Sequence, residues 1–244
     1  MFYKIIHSAF FFLCLLVSNF ILAQKPIKIK PEKKIYLSVP EPSDICLHPN
    51  GKSLFIVSDN GFLFETDLDG NTIRTADYKG LDCEGVHANE KFVYVVEEFS
   101  RKIRVFDIEN LERQKTVYLE YNGGRNAAYE ALTFNPVRNV FLLFVEKNPI
   151  YMFELNQDLQ KINEYDLSKV SKDISAATFY QNHLWLLGDE ESTVYKLNPK
   201  TYQVLSSWKL PVVNPEGLTF DSKGNLLIIS DDMQLLYYFK NPEN

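Results

Sequence analysis

One pattern of apolar and polar positions recurs five times along the chain. Its densest part is a run of four or five apolar residues, at 54–57, 93–96, 141–145, 184–187 and 226–229. Each run follows a turn signal: Pro49-Asn50-Gly51, Asn89-Glu90, Asn135-Pro136, Gln181-Asn182 and Ser222-Lys223-Gly224. Short runs that are apolar throughout suit strands buried on both faces, whereas a helix needs a longer stretch with a period of about 3.6. A more alternating segment comes next (63–66, 103–106, 150–153, 194–197, 235–239), and a more polar one ends the first four units (72–78, 114–119, 161–165, 204–210). Ahead of each dense run lies a Glu or Ser followed by a short apolar stretch: Pro42-Ser43-Asp44-Ile45, Cys83-Glu84-Gly85-Val86, Tyr129-Glu130-Ala131-Leu132, Ile174-Ser175-Ala176-Ala177 and Pro215-Glu216-Gly217-Leu218. Each unit therefore predicts four antiparallel strands in about 40–45 residues, the period of propeller blades. The fifth unit has no fourth strand, and the strand-like residues 33–38 can supply it. The expected fold is all-β: a five-bladed β-propeller of four-stranded antiparallel blades, the last closed by the N-terminal strand, which removes the seam at which a ring could open.

Composition narrows the setting. At 45% hydrophobic residues the chain can fill one sizeable core, and a net charge of −6 argues against a nucleic-acid surface. Lys4, the apolar run 5–22 and Ala23-Gln24 read as a secretory signal over residues 1–23, leaving residues 24–244 as a single propeller domain. The chain is thus expected to be exported, periplasmic or extracellular, and monomeric. If the signal were retained, residues 5–22 would instead anchor it to a membrane. Of the three cysteines only Cys46 and Cys83 follow the signal, at different heights on their strands, which favours two buried thiols over a bridge.

Topology gathers polar residues at one mouth of the channel. The innermost strand of a blade starts there and the second, antiparallel strand ends there. The first column is Ser43, Glu84, Glu130, Ser175 and Glu216; the second is Asp59, Glu98, Glu146, Asp189 and Asp231, acidic in every blade, with Glu97 and Glu190 beside it. Two carboxylates about 6 Å apart repel by roughly 3 kcal/mol at an effective dielectric near 20. Such a ring needs a cation, protonation or ample water. Oxygen-only ligands favour Ca²⁺, with Glu84, Glu130 and Glu216 as its main holders. The competing reading is that the second column caps turn amides. Cations also lie near this mouth: Arg101, Lys147 and, in the longest connection, Arg125. They serve either charge balance or the binding of an anion beside the metal.

Other chemistry finds no motif. His48, His87 and His183 lack zinc spacing, and no nucleophile elbow, phosphate loop or dinucleotide fingerprint is present. Asp67-Leu68-Asp69-Gly70-Asn71 departs from a calcium loop and reads as a tight turn. Trp185 and most of the phenylalanines fall in strand patterns and are expected in the core.

The strings Leu81-Asp82-Cys83-Glu84-Gly85-Val86, Tyr129-Glu130-Ala131-Leu132-Thr133-Phe134, Val145-Glu146-Lys147-Asn148-Pro149-Ile150, Asp173-Ile174-Ser175-Ala176-Ala177 and Pro215-Glu216-Gly217-Leu218-Thr219-Phe220 resemble the SdiA-regulated family of bacterial proteins. The last unit is also similar to an NHL repeat. The resemblance implies a five-bladed propeller with a calcium site, exported or attached to the inner membrane by an N-terminal segment, and it brings no catalytic reaction. Ala131 stands where the family commonly has Gly. Two functions follow as expectations. One is a non-catalytic calcium-binding module of the cell envelope, presenting the channel mouth to a ligand or protein. The other is a Ca²⁺-dependent phosphoesterase or lactonase, with Glu98 or Glu146 as base and Lys147 or Arg125 holding the anion.

Overall fold

The computed structural model describes residues 25–120, 129–147 and 149–244. Residues 1–23, read above as a signal, together with Arg125 and Asn148 lie outside the described residues. Within these residues, all regular structure is β, and no helix is long and apolar enough to cross a membrane.

Two short strands open the chain, β1 (Ile27–Lys28) and β2 (Lys33–Tyr36). Blade one is β3 (Pro42–Leu47), β4 (Ser53–Ser58), β5 (Phe62–Asp67) and β6 (Thr72–Thr75). Blade two is β7 (Cys83–Ala88), β8 (Phe92–Glu97), β9 (Lys102–Asp107) and β10 (Arg113–Tyr118). Blade three is β11 (Tyr129–Asn135), β12 (Val140–Val145), β13 (Tyr151–Leu155) and β14 (Lys161–Asp166). Blade four is β15 (Ala176–Tyr180), β16 (His183–Gly188), β17 (Thr193–Leu197) and β18 (Val204–Lys209). Blade five is β19 (Pro215–Phe220), β20 (Leu226–Ser230) and β21 (Leu235–Phe239), completed by β2. The antiparallel register Lys33↔Tyr238 to Tyr36↔Leu235 supplies the outer strand that the sequence lacks at its end.

Inner strands touch in a closed cycle: β3 on β7, β7 on β11, β11 on β15, β15 on β19, and β19 back on β3. Each blade interface holds one apolar cluster. The second strands explain why. Leu54, Phe55, Ile56 and Val57 are all buried, as are Leu184, Trp185, Leu186 and Leu187, because each face of the sheet packs on a neighbouring blade. Each such side chain contributes about 1.5–3 kcal/mol by leaving water. Outer strands such as β14 are exposed at nearly every position, matching their polar sequence.

Three details depart from the sequence pattern. The closing strand ends at Tyr36, and Leu37 and Val39 instead turn inward to the cluster between blades five and one. The fourth strand of blade one ends at Thr75, after which Ala76 and Tyr78 bend into the interface with blade two. Blade four also gains a fifth strand: β1 pairs parallel with β18, Ile27 opposite Trp208. The alternation Ile27-Lys28-Ile29-Lys30 lets one side cover that outer edge while Ile29 packs on the core between blades four and five.

The expected tight turn after β5 is present. The Asp67 carboxylate accepts the Asp69 and Asn71 amides, both at 2.9 Å, and Asp221 repeats the device with Lys223 and Asn225. Cys46 and Cys83 are free and buried, and Trp185 is fully buried.

Candidate functional site

The Glu or Ser that opens each blade has a structural cause. The register between inner and second strand skips one residue at Ser43, Glu84, Glu130 and Glu216, so each is the extra residue of a β-bulge. A bulge re-aims a side chain without ending the strand. In blade four, Ser175 stands just ahead of β15 and its amide bonds to Leu187. The small residue after each Glu is also explained. A Cβ on Gly85 would come within 2.9 Å of the Glu130 carbonyl, and one on Gly217 within 2.9 Å of Asp44 Cα, because the inner strands converge there. Where the opening residue is Ser, its hydroxyl ties the next blade: Ser43 donates to the Cys83 carbonyl, and Ser175 to the Pro215 carbonyl at 3.2 Å. Those carbonyls immediately precede Glu84 and Glu216.

The result is a cavity of about 210 Å³ lined by Asp59, Glu84, Glu98, Glu130, Glu146, Ser175, Asp189 and Glu216. Both expected columns thus meet at one mouth. Asp231 does not line the cavity; it lies partly exposed beside Asp232 and Glu41. Two of the cavity's residues, Glu84 and Glu98, also cluster with Asp82, the ligand oxygens of all three lying within 4.8 Å of one another.

Burial, then mutual repulsion, pushes the carboxyls of Glu84 and Glu130 well above the usual carboxylate range. The same causes raise Glu216 to about 8. Asp59 rises to about 6, chiefly by burial, with the neighbouring Asp231 and Asp82 carboxyls adding to it. Among the described residues, the carboxylates of Glu84, Glu130 and Glu216 meet no hydrogen-bond donor or cation.

The turn amides of Arg101, Ser192 and Gln234 donate to the backbone carbonyls of Glu98, Asp189 and Asp231. The amides of Asp59 and Glu98 donate to the carbonyls of Glu41 and Asp82, both held in left-handed conformations just before the inner strands. Glu97 turns away from the mouth to Arg104 at 2.8 Å, and Glu190 is exposed. Lys147 forms an ion pair with Glu146, and Arg101 sits in the turn after β8.

Three carboxylates of this region were not among the expected site residues. Asp82 completes the tight cluster. Asp173 is buried, accepts the Asp189 amide at 2.7 Å, and has its carboxyl raised to about 8 by burial and by the neighbouring Asp189 carboxyl. Asp44 is buried on β3, accepts the Val86 amide at 2.9 Å through Oδ2, and leaves Oδ1 without a partner. Its signal was present in the sequence: Asp44 stands where the other four blades carry Gly85, Ala131, Ala176 and Gly217.

Comparisons with known proteins agree with this architecture. The profile of the SdiA-regulated family matches residues 19–240. The glutaminyl cyclase of Myxococcus xanthus superposes with a TM-score of 0.70 at 10% identity, over 88% of this chain and 98% of that one. The β-propeller domain of Myceliophteria thermophila Cps50 (Swd1) gives a TM-score of 0.50 at 13% identity, over 82% of this chain and 66% of that one. At such identities the likeness is one of fold. No curated protein matches the sequence significantly.

Proposed function

The chain belongs to the SdiA-regulated family, and on that footing we propose that it is an exported, calcium-binding propeller of the cell envelope, acting as a binding module through its acidic mouth. The observation that carries this reading is the trio Asp82, Glu84 and Glu98, with oxygens within 4.8 Å of one another, two of which (Glu84 and Glu98) line a cavity whose wall also holds Glu130 and Glu216. An all-oxygen donor set suits a hard cation, and flexible carboxylate ligation suits Ca²⁺ better than Mg²⁺, which demands a regular octahedron. These five residues would hold the ion, which would neutralise the buried negative charge and offer open coordination to an anionic or carbonyl-bearing ligand. Export rests on the sequence of residues 1–23.

The test is thermal unfolding of the protein lacking residues 1–23, with Ca²⁺ and with a chelator. An ion bound only by the folded state stabilises it by about 2.7 kcal/mol at a hundredfold excess over Kd. The melting temperature should rise with Ca²⁺, and the rise should vanish in the variant Glu84→Gln, Glu130→Gln, Glu216→Gln. Identical melting curves with ion and chelator would defeat the reading.

A second reading, a Ca²⁺-dependent hydrolase, is favoured by the Asp173–Asp189 pair. A carboxyl that titrates at about 8 beside the mouth can exchange a proton near neutral pH. Turnover of simple phosphoesters or lactones that requires Ca²⁺ and is lost in Asp173→Asn would make this the better account.

A further inference from the structure

The far ends of the same inner strands enclose a second, larger cavity of about 460 Å³, with none of the acidic mouth's residues in its wall. All five blades contribute, through side chains that include Leu47, His87, Phe134, Phe179 and Phe220. The size falls within the range of about 300–1,000 Å³ usual for small-molecule sites.

Its chemistry is unlike that of the acidic mouth. Asp221 is the one acidic or basic side chain in the lining apart from the histidine, and its carboxylate is consumed by the turn, accepting the Lys223 amide at 2.9 Å and the Asn225 amide at 2.8 Å. A charged guest would lose its hydration and gain no counter-charge. The wall is aromatic: Tyr180 stacks on Phe220 with ring centres 4.0 Å apart, and Phe134 meets Phe141 edge-on at 5.1 Å. Faces and edges in this arrangement suit another ring better than an aliphatic chain. Besides hydroxyls such as those of Thr133, Thr178 and Thr219, the wall offers one imidazole as a directional polar group. His87 meets Phe141 edge-on at 6.0 Å, and among the described residues neither of its ring nitrogens has a hydrogen-bond partner. Burial lowers its pKa to about 4, so it is a neutral imidazole with one donor and one acceptor.

We propose that this cavity is a second binding site, for a small uncharged aromatic molecule whose single hydrogen-bonding group meets His87. The site is independent of the cation at the other mouth.

Phenol is the probe. Ligand-observed NMR titrations on the folded protein compare it with benzoate, a charged ring, and cyclohexanol, which keeps the hydroxyl without the ring. Phenol should bind saturably, and both analogues should bind at least about tenfold more weakly. Ala88→Trp, which fills the cavity, should abolish phenol binding. His87→Phe, which keeps a ring but loses the hydrogen bond, should weaken it by about tenfold. Circular dichroism melts of both variants establish that they are folded, and the selectivity among the three probes needs no variant at all. Benzoate or cyclohexanol binding as well as phenol, phenol binding that is indifferent to both substitutions, or no saturable phenol binding would each overturn the proposal.

Discussion

Buried and half-buried glutamates of this propeller occupy two kinds of surroundings. Glu65, Glu97 and Glu154, on second and third strands, each face an arginine: Arg74 at 2.6 Å, Arg104 at 2.8 Å and Arg138 at 2.5 Å. Neighbours complete the shell. Ser53 donates to Glu65, Tyr78 and Ser100 donate to Glu97, and Tyr202 and Asn163 donate to Glu154. Burial works to raise Glu97 and Glu154, yet the arginine and hydroxyl hydrogen bonds outweigh it and hold both below the ordinary carboxylate range. Glu84, Glu130 and Glu216 have the burial without the donors, and their carboxyls go the other way. The chain therefore has a working means of neutralising a buried carboxylate and uses it three times away from the channel. At the mouth the charge is left to a proton or to an ion from outside, which is the physical argument for the cation proposed there.

The comparison can be broken in three ways. The largest effect is expected at a paired glutamate. Glu154→Gln strips the charge from a fully buried partner of Arg138 and should cost about 3 kcal/mol in a urea titration. A loss well under 1 kcal/mol would remove the contrast between the two sets. Next comes pH, measured in chelator. Glu216 titrates at about 8 when folded and near its ordinary value when unfolded, so the folded state holds the extra proton between those limits. Its stabilising contribution is complete at low pH and is lost as pH rises through about 8. Between pH 6.5 and 8.5 Glu216 alone should take about 2 kcal/mol from the stability, and Asp173, also raised to about 8, adds in the same direction; the window lies above the range in which His87 contributes with the opposite sign. Saturating Ca²⁺ should flatten the slope; a flat profile in chelator would show that the mouth stores no repulsion. Smallest is Glu130→Gln in chelator at pH 8, which removes one of several facing charges and should stabilise by about 1 kcal/mol. Destabilisation there would mean that Glu130 has a structural partner after all.

The blades were legible in the sequence because burial on both faces leaves unbroken apolar runs such as Leu226-Leu227-Ile228-Ile229, and because a Glu or Ser marker, twice in a Glu-Gly pair, recurs at blade spacing. The structure adds the reason for those pairs: a bulge aims the Glu, and the Gly lets adjacent strands close in. Asp82 belongs to neither recurring column and was missed, although it lies two residues from Glu84 and bends the chain through a left-handed conformation. Glu97 and Glu98 are adjacent acidic residues whose fates a sequence cannot separate; only the register that sets Glu97 opposite Lys102 and near Arg104 decides between them. Strand β1 was unread for a different cause, since a two-residue parallel pairing depends on an edge that only the assembled fourth blade presents.

The strand that closes the last blade has a consequence for how the molecule comes into being. Lys33 pairs with Tyr238, almost the full described chain away, so this ladder has very high contact order. Such pairings form slowly, because the loop entropy is lost before any contact repays it. During synthesis blades one to four have their own strands in hand, while β2 must wait for the last residues to emerge. Until then the edge of β21's future partner and the apolar cluster between blades five and one stand open. That interval is when the young chain is most exposed to aggregation or to a wrong partner. Among the blade-forming pairings, ring closure spans the longest stretch of chain, and it is the step at which quality control would have most to do.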